Sequence, residues 1–120
     1  MVDHPTGERG SVTAETAVVL PALALVVAVC MWAVGVVGQQ LQCIDAARTA
    51  ARALARGESS GDARAAATAA APRGARVVMT TLGGRAIVDV RHTAGLPGVG
   101  HRGPAVPIGS RAVAVLEAPP

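Results

Sequence analysis

The spacing of apolar positions divides the chain into three stretches. Residues 16–44 form a run of about thirty residues without a formal charge. Inside it, residues 17–38 read AVVLPALALVVAVCMWAVGVVG, with only weakly polar atoms. A helix needs about 20 apolar residues to cross the hydrocarbon core of a bilayer, so this stretch predicts a transmembrane helix. A cleaved secretory signal has a shorter apolar core, about 7–15 residues, followed by a small-residue cleavage site. Here the apolar run is longer and the helical pattern continues beyond it, as expected of a retained anchor. A lipoprotein signal would place a small residue before its cysteine, yet Val29 precedes Cys30 and Gln42 precedes Cys43. Pro21 stands one turn inside the span, where it removes a backbone hydrogen bond and can kink the helix. Membrane helices tolerate this when neighbours compensate. Trp32, near the far end, suits an interfacial position.

The second stretch keeps a helical period but becomes amphipathic. Residues 39–56, QQLQCIDAARTAARALAR, are mostly strong helix formers. Leu41, Ile44, Ala47/Ala51 and Leu54 recur at three- and four-residue spacing and predict an apolar stripe. Arg48, Arg52 and Arg56 fall four apart on another face, and Asp45 can pair with Arg48 or Thr49 across one turn. Gly57 is a natural stop. A helix from Thr13 to Arg56 would be about 65 Å long. Ser59 and Asp62 resemble a capping box with a shortened acid. They open an alanine-rich helix expected over residues 61–71, which ends at Pro72.

The third stretch switches to a period of two. Residues 75–82, Gly83-Gly84 and residues 85–92 predict a β-hairpin with a two-residue turn. Its inward positions are Val77, Met79, Ala86, Val88 and Val90. A Gly- and Pro-rich loop over residues 93–109 leads to a third strand expected at 110–117. Three short strands and a small helix are marginal alone. Packing the sheet against the stripe from Leu41 to Leu54 would supply the missing core. The expected fold class is α+β: a long N-terminal transmembrane and amphipathic helix, a short second helix, and a small antiparallel three-stranded sheet. The expected segments are a leader (1–10), a transmembrane helix (11–38), an amphipathic extension (39–57) and a small extracytoplasmic domain (58–120).

Composition narrows the classes. Apolar residues make up 51% of the 120, yet Trp32 is the one aromatic. A soluble core normally relies on aromatics for its largest burial, so the apolar content is spent on the span instead. The basic residues are all Arg, with no Lys and no Asn, which suggests a high-GC, actinobacterial coding bias. The net charge of +3 is scattered, and no aromatic platform exists on which bases could stack. Nucleic acid is therefore not an expected partner. Cys30 and Cys43 on one helix would lie roughly 20 Å apart, beyond disulfide reach. Two cysteines alone make no metal site. Cys43, emerging near the membrane surface, is either a buried small residue or the site of an intersubunit disulfide.

An enzyme is not expected. His4 lies in the leader, His92 ends a strand and His101 sits in a loop, without a partner acid at catalytic spacing. The stretch GLPGVGHRG lacks the strand-to-helix context of a phosphate loop. No cofactor, metal or small-molecule substrate is implied.

The chemistry concentrates at Gly10-Ser11-Val12-Thr13-Ala14-Glu15. A carboxylate in the first turn of a helix is favoured by the helix dipole. That alone does not explain a short hydrophilic leader ending in glycine. If the chain is cut after Gly10, Ser11 becomes a free amino terminus four residues from Glu15. The new ammonium of a neighbouring subunit could then neutralise Glu15 and set the axial register of an assembly. A charge at a membrane edge is costly without such a partner.

The stretch RGSVTAETAVVLPALALV resembles the N-terminus of TadE-like proteins of the tight-adherence (Flp) type IVb pilus systems. It has the Gly-Ser junction, a Glu five residues after the Gly, and a Pro six residues after that Glu. The continuation QLQCIDAARTAARALARGES looks like actinobacterial members, and the hairpin and final strand fit the same pattern. The resemblance implies that a prepilin peptidase cuts at Gly10, that Ser11 is the new terminus and that Glu15 is the assembly glutamate. It also implies a minor pilin or pseudopilin of the inner membrane, with its N-terminus cytoplasmic and its C-terminal domain outside. The partners implied are the bilayer, other pilin-like subunits through the N-terminal helix, the prepilin peptidase and the tight-adherence secretion machinery. The alternative is an uncleaved single-pass accessory protein of a secretion system. Arginine counts, with Arg9 before the span and Arg48, Arg52 and Arg56 after it, would by themselves orient the chain the other way.

Overall fold

The structure, a computed structural model, describes residues 6–96 and 103–117. The order of elements is α1 (Thr6–Ala55), α2 (Ser60–Ala70), β1 (Arg76–Leu82), β2 (Arg85–Ala94) and β3 (Val106–Val115). This is the expected α+β arrangement of a long apolar helix, a short second helix and an antiparallel three-stranded sheet. The chain falls into two compact units, one ending at Val34 and the other beginning at Gly35.

In the first unit α1 starts at Thr6 rather than at the expected Thr13. Two hydroxyls near this end turn back onto their own helix. Thr13 Oγ1 donates to the Arg9 carbonyl at 2.8 Å, and Thr16 Oγ1 to the Val12 carbonyl at 2.9 Å. Such bonds satisfy the hydroxyl locally where water is absent. Pro21 lies inside the continuous helix and leaves the Ala17 carbonyl without its usual i→i−4 donor.

The second unit is a three-stranded meander with the helical segments packed on one face. α1 ends in a Schellman turn. Gly57, at φ +83°, donates to Leu54 O at 3.0 Å, and Glu58 N donates to Ala53 O at 3.1 Å. Ser59 caps α2, its Oγ accepting from Asp62 N at 3.1 Å. The reciprocal half of a capping box is missing among the described residues. α2 occupies 60–70, one residue earlier than expected, and Pro72 follows its end.

The hairpin forms as predicted. Leu82 pairs with Arg85 across Gly83 and Gly84, whose φ values of +58° and +74° only glycine adopts cheaply. β2 runs two residues past the expected end, to Ala94. It pairs on its other side with β3, from Arg85 opposite Val115 to Ala94 opposite Val106. β3 begins at Val106 instead of Ser110, so Pro107 lies within a strand. Proline is tolerated there because β3 is an edge strand, where the missing N–H faces no partner.

Alternation places Val77, Ala86, Val88, Val90 and Ala94 on the buried face. Facing them are Cys43, Ala46, Ala47, Ala50, Ala51 and Ala53 of α1 and Ala63 and Ala67 of α2. The helical stripe is therefore shifted from the expected one. Ala47, Ala51 and Leu54 belong to it, but Ile44 is half-buried and Leu41 is 60% exposed. The buried layer is filled by small side chains. Dispersion attraction accumulates over the whole layer, and a void would forfeit it.

Each edge of the sheet is met by a helix side chain. The Gln40 amide bridges both backbone groups of Gly109 in β3. Its Nε2 donates to Gly109 O at 2.8 Å, and its Oε1 accepts from Gly109 N at 3.1 Å. Arg64 of α2 donates from Nη1 to Val77 O of β1 at 2.6 Å. Unpaired edge groups invite pairing with other chains, and covering them blunts that hazard. Position 109 also requires glycine, since a Cβ there would stand 2.5 Å from Val90 O. Gly109→Ala is expected to destabilise this unit by about 1–3 kcal/mol through overpacking. Gln40→Ala should cost a similar amount by leaving two half-buried backbone groups unpaired. Denaturant unfolding of the full chain in micelles, followed by hydrogen exchange of the β3 amides, checks both.

Candidate processing and assembly site

Glu15 is the one formal charge between Arg9 and Asp45. It sits on α1 one turn after Ser11, and every residue from Arg9 to Met31 is exposed. Glu15 forms no ion pair or hydrogen bond among the described residues. Around it, Val12, Val18, Val19, Leu20 and Leu23 are each more than half exposed. An 18-residue window of this helix has a mean hydropathy of 2.6 and none of it is buried. Exposed apolar area costs about 25 cal/mol per Å² in water, and a patch this extended marks a surface for membrane or protein. The helix is long and apolar enough to cross a membrane, which supports a membrane-anchored chain.

Gly10 has no atom within 4 Å of where a Cβ would stand. No packing demand explains a glycine here, although glycine costs a helix about 1 kcal/mol relative to alanine. The Gly10-Ser11 bond lies inside α1, four residues after its first residue. The expected junction is thus helical, not an extended linker. Gly10, Ser11 and Glu15 are brought onto adjacent turns by the helix itself, and their roles rest on chemistry that other molecules would supply.

Cys43 is fully buried in the core between helix and sheet, and its thiol is free. Burial pushes its pKa up, which disfavours the reactive thiolate. The position has the character of a small core residue, and a disulfide to another subunit would first require this core to open. Cys30, by contrast, is exposed on the apolar part of α1. His92 lies two residues inside β2 rather than at its end, while His4 and His101 fall outside the described residues. No group of three or more His, Cys, Asp or Glu suited to a metal occurs among the described residues.

One charged cluster on the sheet was not singled out by sequence spacing. Asp89 Oδ2 accepts from Arg111 Nη2 at 3.0 Å and from Arg91 Nη2 at 3.4 Å. Arg111 is 22 residues away in sequence and becomes a neighbour only through the β2–β3 register, where it stands opposite Asp89. The hydrogen bond from Arg111 is the main reason the Asp89 carboxyl is held below its ordinary value, with Arg91 adding to it.

Comparison with known families decides what the N-terminal segment resembles. Residues 10–52 match the family model described as TadE-like protein. Over this segment the chain is similar to TadE-like proteins. The match begins at Gly10 and takes in Ser11, Glu15, Pro21 and Cys43. It covers roughly a third of the chain and stops short of α2 and the sheet. No curated protein and no solved structure matches the chain.

Two outcomes follow from the geometry of this chain. In a Cys30→Ser background, N-ethylmaleimide should leave Cys43 unmodified in native micelles and label it fully after unfolding in urea, as read by intact mass. Asp89→Asn should lower the unfolding midpoint by a few degrees at pH 7. A carboxyl with a depressed folded pKa contributes stability above its unfolded pKa and loses it as pH falls through the folded one. The difference between wild type and Asp89→Asn should therefore shrink as pH drops below 3.8, the ordinary value. Thermal melts at pH 7 and at strongly acidic pH check this.

Proposed function

We propose that this protein is a membrane-anchored minor pilin or pseudopilin that takes part in assembling a tight-adherence pilus or its related secretion apparatus. The observation that carries the reading is Glu15, without a partner among the described residues, on the exposed apolar stretch of α1 within the segment that matches the TadE-like model. In this reading residues 1–10 are a leader that a prepilin peptidase removes at Gly10. Residues 11–38 are then the anchor, residues 39–57 its extension, and residues 58–120 a small extracytoplasmic domain.

A carboxylate held in hydrocarbon costs on the order of 2–3 kcal/mol near the centre of a span. The ammonium created at Ser11 of one subunit offers the opposite charge to Glu15 of the next. Pairing them offsets the cost only at one axial offset between helices, so a single charge pair sets the register. The missing steric reason for glycine at position 10 supports a role in recognition by a peptidase. The arginines beyond the span oppose this orientation, and the processing signal outweighs them because it specifies residue types at fixed spacing.

A second reading is an uncleaved accessory protein of a secretion system with no place in a filament. It is favoured by the unbroken helix through the Gly10-Ser11 bond, since a peptidase would have to unwind that turn.

Intact mass of the membrane-extracted protein separates the two. Processing predicts a chain beginning at Ser11, whereas one beginning at Met1 in cells with an active prepilin peptidase supports the second reading. Glu15→Ala should leave membrane insertion intact and reduce crosslinking to pilin-like subunits at least tenfold, a loss of about 1.4 kcal/mol. Unchanged crosslinking would remove Glu15 from assembly.

A further inference from the structure

We propose that the solvent face of the sheet carries an oxyanion site, built from Arg76, Arg91 and Arg111 around Asp89, that takes a phosphate group. The site stands independently of the filament reading. An open cleft of about 730 Å³ lies there, and its lining includes Gly74, Arg76, Asp89, Arg91, Gly109 and Arg111.

Three observations converge on this cleft. First, Arg76 of β1 stands directly opposite Arg91 of β2. Like charges directly opposite on paired strands are destabilising, and Arg76 has no ion pair or hydrogen bond among the described residues. An anion between the two guanidiniums would relieve that repulsion. Second, Asp89 holds Arg91 and Arg111 by one shared oxygen. Each guanidinium commits one NH₂ group to this contact and keeps further N–H donors for a ligand. Asp89 thereby acts as an orienting counterion, and three arginines against one aspartate leave two positive charges in excess. Third, Gly109 faces Arg91 across the β2–β3 pair, so no side chain fills the space beside that guanidinium.

The surplus of two charges matches a phosphate dianion. Guanidinium forks bind phosphate and carboxylate oxygens in pairs. A carboxylate has two oxygens and would satisfy one fork. The tetrahedral phosphate group offers more acceptors, enough to bridge Arg76, Arg91 and Arg111 at once. Arg91 and Arg111 are more than 60% exposed, so solvent screening keeps the binding weak.

The test uses the full chain, with ¹⁵N-labelled arginine, in uncharged maltoside micelles at constant ionic strength. On titration with inorganic phosphate, the Nε–Hε signals of Arg76, Arg91 and Arg111 should shift and saturate, while that of Arg85, at the hairpin end of the same sheet face, stays still. Arg91→Gln and Arg111→Gln should each weaken binding at least fivefold with the strand amide signals retained, and Arg85→Gln should not. A second arm adds phosphatidic acid, whose headgroup is a phosphate monoester, to the micelles in place of phosphate. A saturating response to the lipid alone assigns the group to a lipid headgroup, and a response to free phosphate assigns a soluble phosphate ligand. The proposal is overturned by an equal response to acetate, by equal weakening in Arg85→Gln, or by no response to either phosphate source.

Discussion

The packing of helix α1 on the sheet through small side chains is the contact on which the folded domain depends. Val88 and Val90 are the largest side chains that the sheet buries completely. Against them α1 presents Cys43 and a series of alanines. With so little area per residue, the layer is held by many small van der Waals contacts added together. Any enlargement at Ala46, Ala47 or Ala50 would push the layers apart. The same packing brings the Gln40 side chain within reach of Gly109, while the neighbouring strand, through Val90 O of β2, leaves no room for a Cβ at that glycine. Edge protection thus comes from the helix, and the residue choice at position 109 from the sheet itself.

Helix α1 serves two solvents with one secondary structure. Its N-terminal half exposes apolar side chains all round, as a helix in lipid does. Its C-terminal half buries one stripe of small residues and leaves Arg48 and Arg52 exposed. The helical backbone satisfies its own hydrogen bonds in both settings. The threonines of the first turns also satisfy their hydroxyls internally. Glu15 has no such internal solution among the described residues. This contrast, and not the presence of a carboxylate as such, singles out Glu15.

The sheet has two unlike faces. The inner face is apolar and tightly covered. The outer face gathers its charged cluster at the end away from the hairpin turn, where Arg76, Asp89, Arg91 and Arg111 come together, and Arg85 stands apart beside the turn. Near the turn it exposes Leu82, Val113 and Val115. The charged end is a product of register: a one-residue slip of β3 would move Arg111 to the inner face and dissolve the cluster.

The linear pattern of residues determined the elements and the candidate processing site. A charge-free run long enough for a bilayer, a Gly-Gly turn between alternating stretches, and the Gly10-to-Glu15 spacing are local properties, and local properties are legible without a fold. The segment that matches the TadE-like family is the one where those signals are densest. Tertiary structure decided which helical face is buried. Hydrophobicity alone favoured Leu41 and Ile44, but the neighbouring sheet selected Cys43, Ala46 and Ala50 because it needed small partners. It also decided that β3 starts at Val106, since an edge strand accepts Pro107, and that Cys43 is a core residue. The meeting of Arg111 with Asp89, and of Gln40 with Gly109, could not be read from spacing at all. Both pairs are distant in sequence, and only the strand register and the depth of helix packing set the distances between them.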